Sequence, residues 1–242
     1  MLTIVYENHE GPEGLHPAWG FSCFVQGFRR AVLFDTGGDG DVLLHNVSHL
    51  QIEPEQIDAV VLSHADWDHT GGLAALLGQS TDIAVFMPGV FPAKLKNTVH
   101  EQGAKLVETE EPVEVCEGIT TTSVLHGPKP EQGLCLGTEA GPVLITGCAH
   151  PGIVEMAEAA RKATGQPIHA AIGGFHLKDT WATDINYTIA RLKELGITHA
   201  GPCHCSGEEA RRRMAEAFGD DYLQVNLGTR VPGELLIGSE KG

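Results

Sequence analysis

Leu62-Ser63-His64-Ala65-Asp66-Trp67-Asp68-His69-Thr70-Gly71-Gly72-Leu73 places four side chains able to bind metal, His64, Asp66, Asp68 and His69, within six residues. It follows Ile57-Asp58-Ala59-Val60-Val61-Leu62, a β-rich run that predicts a strand, so the motif begins where that strand ends. Gly71 and Gly72 permit a tight turn into Leu73-Ala74-Ala75-Leu76-Leu77, which predicts a helix. A single His or Asp at a strand end is most often a turn or capping residue. His-x-Asp-x-Asp-His followed by Thr-Gly-Gly is a pattern that chance rarely assembles.

Upstream, Leu2 to Asn8 predicts a strand, and His9 to Gly20 has neither helical nor strand period, which suggests a loop over a pocket carrying His16 and Trp19. Gly20 to Phe28 and Arg30 to Asp35 predict a hairpin, and its glycine turn would present Asp35 at the sheet edge. A helix follows from about Asp41 to Leu50. Downstream, Ile83 to Met87 predicts a strand, segment 105–147 is strand-like, and Leu134–Thr138 with Pro142–Thr146 predicts a hairpin. Helices are expected at about Ile153–Thr164, Asp184–Leu195 and Glu208–Phe218, with strands at Ile168–Ile172, Ile197–Gly201 and about Tyr222–Leu227. Three successive strands thus run into His150, His176 and His204, the position where α/β folds place their chemistry. The expected fold is α/β (α+β): two packed mixed sheets flanked by helices, formed as one domain over residues 1–242.

Composition narrows the function. With 42% hydrophobic residues in 242, the chain can bury a sizeable core. Its formal charge of -16 opposes phosphate backbones and anionic membranes, so neither nucleic acid nor a membrane is an expected partner. No apolar run approaches the roughly 18 residues that span a bilayer, and the first residues lack a basic-then-apolar signal, which points to a cytoplasmic protein with a small-molecule substrate. The six cysteines are expected to stay reduced, most as small core residues.

A binuclear site needs about six donors from rigid elements. His64, Asp66, Asp68, His69, His150, His176 and His204 are the candidates. Within the motif, His64 and Asp66 can serve one ion while Asp68 and His69 serve the other.

These residues resemble a family. Leu62-Ser63-His64-x-x-x-Asp68-His69-Thr70-Gly71-Gly72-Leu73 is similar to the signature of the metallo-β-lactamase-fold superfamily, whose form is His-x-His-x-Asp-His. Ile145-Thr146-Gly147-Cys148-Ala149-His150-Pro151-Gly152-Ile153, Gly173-Gly174-Phe175-His176-Leu177 and Pro202-Cys203-His204-Cys205-Ser206-Gly207-Glu208 resemble the branch of 7,8-dihydropterin-6-yl-methyl-4-(β-D-ribofuranosyl)aminobenzene-5'-phosphate synthase and its relatives. The resemblance implies a four-layer αββα sandwich and a binuclear centre: His64, Asp66 and His150 on one ion, Asp68, His69 and His204 on the second. It also implies that Asp35 supports the motif loop, and that His176, where many members place a bridging carboxylate, acts as a ligand, a hydrogen-bond donor or a proton carrier.

Asp66 departs from the superfamily pattern, which has histidine there. A hard, charged donor shifts preference from two zinc ions, the default cofactor, toward iron or manganese. Relatives with an acidic residue at this place include diiron redox proteins. The first expectation is a metal-dependent hydrolase or transferase of a small phosphorylated or heterocyclic, possibly pterin-like, metabolite, with Asp68 and His176 as catalytic residues acting around a metal-activated water. The alternatives are a diiron oxidoreductase that reduces oxygen or a related small molecule, and a non-catalytic metal-binding protein. Lys129 or Lys178 would make the pocket locally positive. Trp67 would stack on a planar ligand or pack the loop, and His126 would contact substrate. Strand alternation predicts that Cys203 and Cys205 point away from the site if His204 points in, and that Cys148 points with His150.

Overall fold

The computed structural model describes residues 1–80 and 82–231. In chain order its elements are β1 (Leu2–Tyr6), β2 (Ser22–Val25), β3 (Val32–Phe34), α1 (Gly40–His49), β4 (Ala59–Val61), α2 (Trp67–Thr70), α3 (Leu73–Leu77), β5 (Ala84–Pro88) and α4 (Ala93–Glu101). There follow β6 (Lys105–Thr109), β7 (Glu114–Cys116), β8 (Ile119–Thr121), β9 (Leu134–Leu136), β10 (Val143–Thr146), α5 (Ile153–Thr164), β11 (Ala170–Gly174), α6 (Ala182–Glu194), β12 (His199–Cys203), α7 (Glu208–Phe218) and β13 (Arg230–Val231).

Among the described residues the strands form two mixed sheets, ordered β13-β1-β2-β3-β4-β5-β6 and β12-β11-β10-β9-β8-β7. Both faces of each sheet are covered, so the central strands are apolar throughout and alternation only sorts residues between two cores. In β4, Ala59 and Val61 join the core between the sheets, while Val60 and the following Leu62 pack outward with Leu43, Leu73 and Leu76 of α1 and α3. In β10 and β11, Val143, Ile145, Ala170 and Ile172 face the inter-sheet core, and Leu144 and Ala171 face α5, α6 and α7. Three apolar layers between four structural layers make the αββα sandwich that the sequence predicted.

Two elements differ from expectation. Helix α4 fills a polar segment for which the sequence predicts no element; Val99 is its one buried residue, and Leu95 packs beside it against the outer core. The strand expected near Tyr222–Leu227 is reduced to a bridge between Ala200 and Tyr222, and β13 pairs instead with β1. Leu223 and Val225 are buried in the inter-sheet core without a ladder of their own, so their burial imitates a strand pattern.

What matters for function is direction. β3 to β6 run parallel, as do β10 to β12, so their carboxyl ends carry the loops after Phe34, Val61, Thr146, Gly174 and Cys203. Where the β4 and β10 loops meet there is no space for another methyl group. A Cβ on Gly147 would stand 2.1 Å from Ser63 Oγ and 2.8 Å from Asp35 Oδ2. Gly147→Ala should therefore lower stability by about 2 kcal/mol and the melting temperature by roughly 4–8 °C, whereas Gly78→Ala, which meets nothing closer than 3.4 Å, should melt near the wild type. Thermal unfolding followed by circular dichroism checks both.

Candidate metal centre

Asp35 is wholly buried at the end of β3 in the left-handed region, with φ of 56°. Its Oδ1 accepts the Ser63 N–H at 2.7 Å, and its Oδ2 accepts Ser63 Oγ–H and His69 Nδ1–H, each at 2.7 Å. Thr36 holds the same loop by donating its N–H and hydroxyl to the His69 carbonyl at 2.8 and 3.0 Å. The motif is thereby pinned at its start and at its last histidine. Ala149, His176 and His204 also have positive φ, of 59°, 52° and 50°. Such backbone is costly for residues with a side chain, and here it concentrates at the loops that converge on one point.

The ring orientations follow from hydrogen bonds. Carboxylates only accept, so His69 Nδ1 donates to Asp35, and His150 Nδ1 donates to Glu131 Oε2 at 2.9 Å. Ser63 Oγ gives its proton to Asp35 and so accepts from His64 Nδ1 at 2.9 Å. Asn8 Oδ1 accepts from Gly20 N–H at 3.2 Å and from His204 Nδ1 at 3.0 Å. All four imidazoles are held at Nδ1 and aim Nε2 lone pairs inward, the arrangement that orients metal-binding histidines.

Those lone pairs define two adjoining triads, His64–Asp66–His150 and Asp68–His69–His204. His64 Nε2 is 3.6 Å and His150 Nε2 4.0 Å from Asp66 Oδ2; His69 Nε2 is 3.7 Å and His204 Nε2 3.4 Å from Asp68 Oδ2. Donors about 2.1 Å from an ion at tetrahedral angles stand roughly 3.4 Å apart, so these spacings fit a cation in each triad. Two observations support the fit. His64 Nε2 is buried with no hydrogen-bond partner, and the Nε2 atoms of His69 and His204 face each other at 3.2 Å, a repulsive pairing unless positive charge lies between them.

The surrounding charges act the same way. Burial opposes protonation of His64, yet Asp66, Glu131 and Asp35 outweigh it and raise its pKa, while burial and His64 lower that of His69. His64 and then Lys129, whose ammonium pairs with Asp66 Oδ2, hold Asp66 well below the usual carboxylate range against the effect of burial. Burial raises Asp68, but His204 and His69 keep it at about 2. The pocket is negative and partly desolvated, suited to cations.

All six ligand candidates thus come together. His176 stands beside them: its ring lies 4.5 Å from that of His150, and its exposed side lines a cavity of about 360 Å³ with Tyr187 and Arg191. Trp19 reaches the site too, its ring 5.0 Å from that of His204 and 5.1 Å from Lys178 Nζ, in a second cavity of about 470 Å³. His16 does not cover the pocket; it stacks on His45 of α1 at 3.8 Å. Trp67 lies against Gly38 and is otherwise exposed, and His126 pairs with Glu110 at 2.6 Å.

The cysteines correct one expectation. Cys203 faces the inter-sheet core, but Cys205 does not follow it away from the site, because the chain leaves the extended form at His204 and enters a tight helical turn. Cys205 instead groups with Cys148 and His176. Cys148 Sγ lies 3.4 Å from His69 Nε2, closer to the triads than a supporting thiol requires.

Two carboxylates escaped sequence reading. Glu131, fully buried, accepts the N–H groups of Cys148, Ala149 and His150 at 2.8–2.9 Å as well as His150 Nδ1. Glu7, also fully buried, accepts the His204 N–H at 2.7 Å. Glu7 ends the apolar run of β1, the same position that singled out the histidines; Glu131 sits in a Gly/Pro loop and leaves no such signal.

Residues 20–167 match the metallo-beta-lactamase superfamily. The chain belongs to that superfamily. The matched span contains the 62–73 motif and His150, with His176 and His204 beyond it. The 7,8-dihydropterin-6-methyl-4-(beta-D-ribofuranosyl)-aminobenzene-5'-phosphate synthase of Methanocaldococcus jannaschii is 30% identical over 88% of this chain and 90% of its own length. Among solved structures, a metal-dependent hydrolase of the beta-lactamase superfamily superposes with a TM-score of 0.79 at 24% identity, covering 96% of this chain and 98% of the other. The metallo-beta-lactamase fold protein YhfI from Bacillus subtilis follows at 0.69 and 14%, with 94% and 97% covered. At such identities the structural likeness speaks to the fold. In that fold this chain's donor set is of a kind that binds divalent metal.

Burial alone would raise the Glu131 pKa, yet His150, His64 and the backbone N–H groups hold it at about 2 against an ordinary 4.5. A carboxyl depressed in the folded state stabilises it above the unfolded pKa, and that contribution, about 3 kcal/mol, disappears as pH falls from about 4.5 toward 2. Glu131→Gln should melt well below the wild type at pH 7, and the gap should narrow as both are acidified through this window. Melting curves at successive pH values measure it.

Proposed function

We propose that the protein is a metal-dependent hydrolase or transferase acting on a small phosphorylated or heterocyclic metabolite at a binuclear centre. The observation that carries this reading is the convergence of four outward-anchored imidazoles and two carboxylates on adjoining triads. His64, Asp66 and His150 would hold one divalent ion, and Asp68, His69 and His204 the other. Bound there, the pair would supply an activated water, its pKa lowered to roughly 7, and positive charge for a developing anion. Asp68 would orient the attacking water while serving its ion. His176 would donate to the oxyanion or leaving group from the side of the cavity it lines.

The surroundings suit such a substrate. The two cavities, of about 360 and 470 Å³, are of the size that small metabolites occupy. Trp19 offers a stacking face beside His204, and Lys178 over that ring supplies positive charge in a chain of net charge -16. A pterin linked to a phosphorylated riboside, as in the name of the archaeal relative, combines a planar ring with an anionic end.

Asp66 favours a second reading, a diiron oxidoreductase, because a carboxylate in place of histidine suits iron or manganese better than zinc. Metal analysis of protein purified without added metal separates the two: colourless protein that carries zinc and no iron supports hydrolysis or transfer, and oxygen-sensitive iron that cycles between oxidation states supports redox chemistry. In either case Asp68→Ala should lose at least one ion per chain and His204→Ala should lower occupancy of that same ion. Retention of the full wild-type ion count by both variants would refute the ligand assignment. For transfer, metal-replete protein given 6-hydroxymethyl-dihydropterin pyrophosphate and 4-(β-D-ribofuranosyl)aminobenzene 5'-phosphate should form the condensed product, detected by mass; its absence would remove the synthase reading and leave hydrolysis.

A further inference from the structure

β10, β11 and β12 run parallel and end side by side, with Thr146 paired to Gly173 and Gly174 to Cys203. Two residues beyond each strand's last member stand Cys148, His176 and Cys205. One donor atom from each, two sulfurs and one ring nitrogen, lies within 4.8 Å of the others. Cys205 Sγ reaches this place only because residue 174 has no side chain: a Cβ there would stand 2.7 Å from the sulfur. His176 reaches it from a left-handed backbone, with φ of 52°, a conformation that is costly for a non-glycine residue and is kept where surroundings demand it. Both thiols are buried, at 5% and 6% exposure, whereas the imidazole opens onto the cavity of about 360 Å³.

Neither Cys205 nor His176 belongs to the two triads, and the inter-sheet core does not use them as it uses Cys203. Two thiols and an imidazole from three rigid strand ends, with an approach from solvent on one side, match the donor set of a zinc site with one open position. We propose that Cys148, His176 and Cys205 form a separate thiolate-rich site for a borderline-soft divalent cation, Zn²⁺, alongside the two triads. Binding releases the two thiol protons to solvent and forms two metal–sulfur bonds and one metal–nitrogen bond, with no change of oxidation state. Cys148, 3.4 Å from His69 Nε2, can share its thiolate with the neighbouring triad. His176 would use one nitrogen for the ion, leaving the other N–H to face the cavity.

Full-length protein stripped with chelator and titrated with Co²⁺ or Zn²⁺ tests this. Wild type should bind one more ion per chain than Cys205→Ser or His176→Ala, and its near-ultraviolet thiolate-to-Co²⁺ absorption should fall strongly in both. Asp68→Ala should lose an ion yet keep that absorption, which separates failure of this site from failure of the proposed binuclear centre. Should the variants fold poorly, peptide mapping of wild type after alkylation replaces them: Zn²⁺ should protect Cys205 and chelator should expose it. Equal ion counts with undiminished absorption in both variants, equal labelling of Cys205 with and without Zn²⁺, or a Cys148–Cys205 disulfide in protein kept under reductant would overturn the proposal.

Discussion

The site depends on one buried carboxylate. Asp35 binds the Ser63 N–H, the Ser63 hydroxyl and His69 Nδ1, and through that hydroxyl it also fixes His64. One group thereby sets two rings in different triads and the start of the loop between them. A charged hydrogen bond in a dry interior is strong, and an unpaired partner there is costly, so the loop has little freedom to place its histidines otherwise. Glu131 does the same for His150, and Glu7 with Asn8 for His204.

This arrangement concentrates negative charge and lone pairs where water is scarce. Asp35, Glu131 and Glu7 are wholly buried, Asp66 pairs with Lys129, Asp68 lies against the rings of His69 and His204, and the Nε2 atoms of those two rings point at each other. Burying so many acceptors is unfavourable without compensating positive charge. Lys129 offers part of it at Asp66, and divalent cations between the donors would offer the rest. Residues that look wasteful for folding are thus accounted for by what they would bind, and the left-handed backbone at Asp35, Ala149, His176 and His204 belongs to the same trade of stability for placement.

Much of this was legible in the chain. The β4–loop–α3 transition, the hairpin of β9 and β10 and the helices α1, α5, α6 and α7 fall where period and turn residues put them. The ligand candidates were found because chemistry-bearing residues sat at the ends of apolar runs. What failed failed for local reasons: α4 has only Val99 buried, the Leu223–Val225 segment is buried without a ladder, and Cys205 lies past the point where strand alternation holds.

By itself, the sequence determined the layers and the candidate donors, because apolar periodicity and the spacing of His64, Asp66, Asp68 and His69 are properties of neighbouring residues. Only the tertiary structure decided which nitrogen of each ring faces inward, that Glu131 holds the ring of His150 and Glu7 the backbone N–H of His204, and that Cys148, His176 and Cys205 meet. Those facts depend on hydrogen bonds and approaches between segments up to 197 residues apart, which no local pattern encodes.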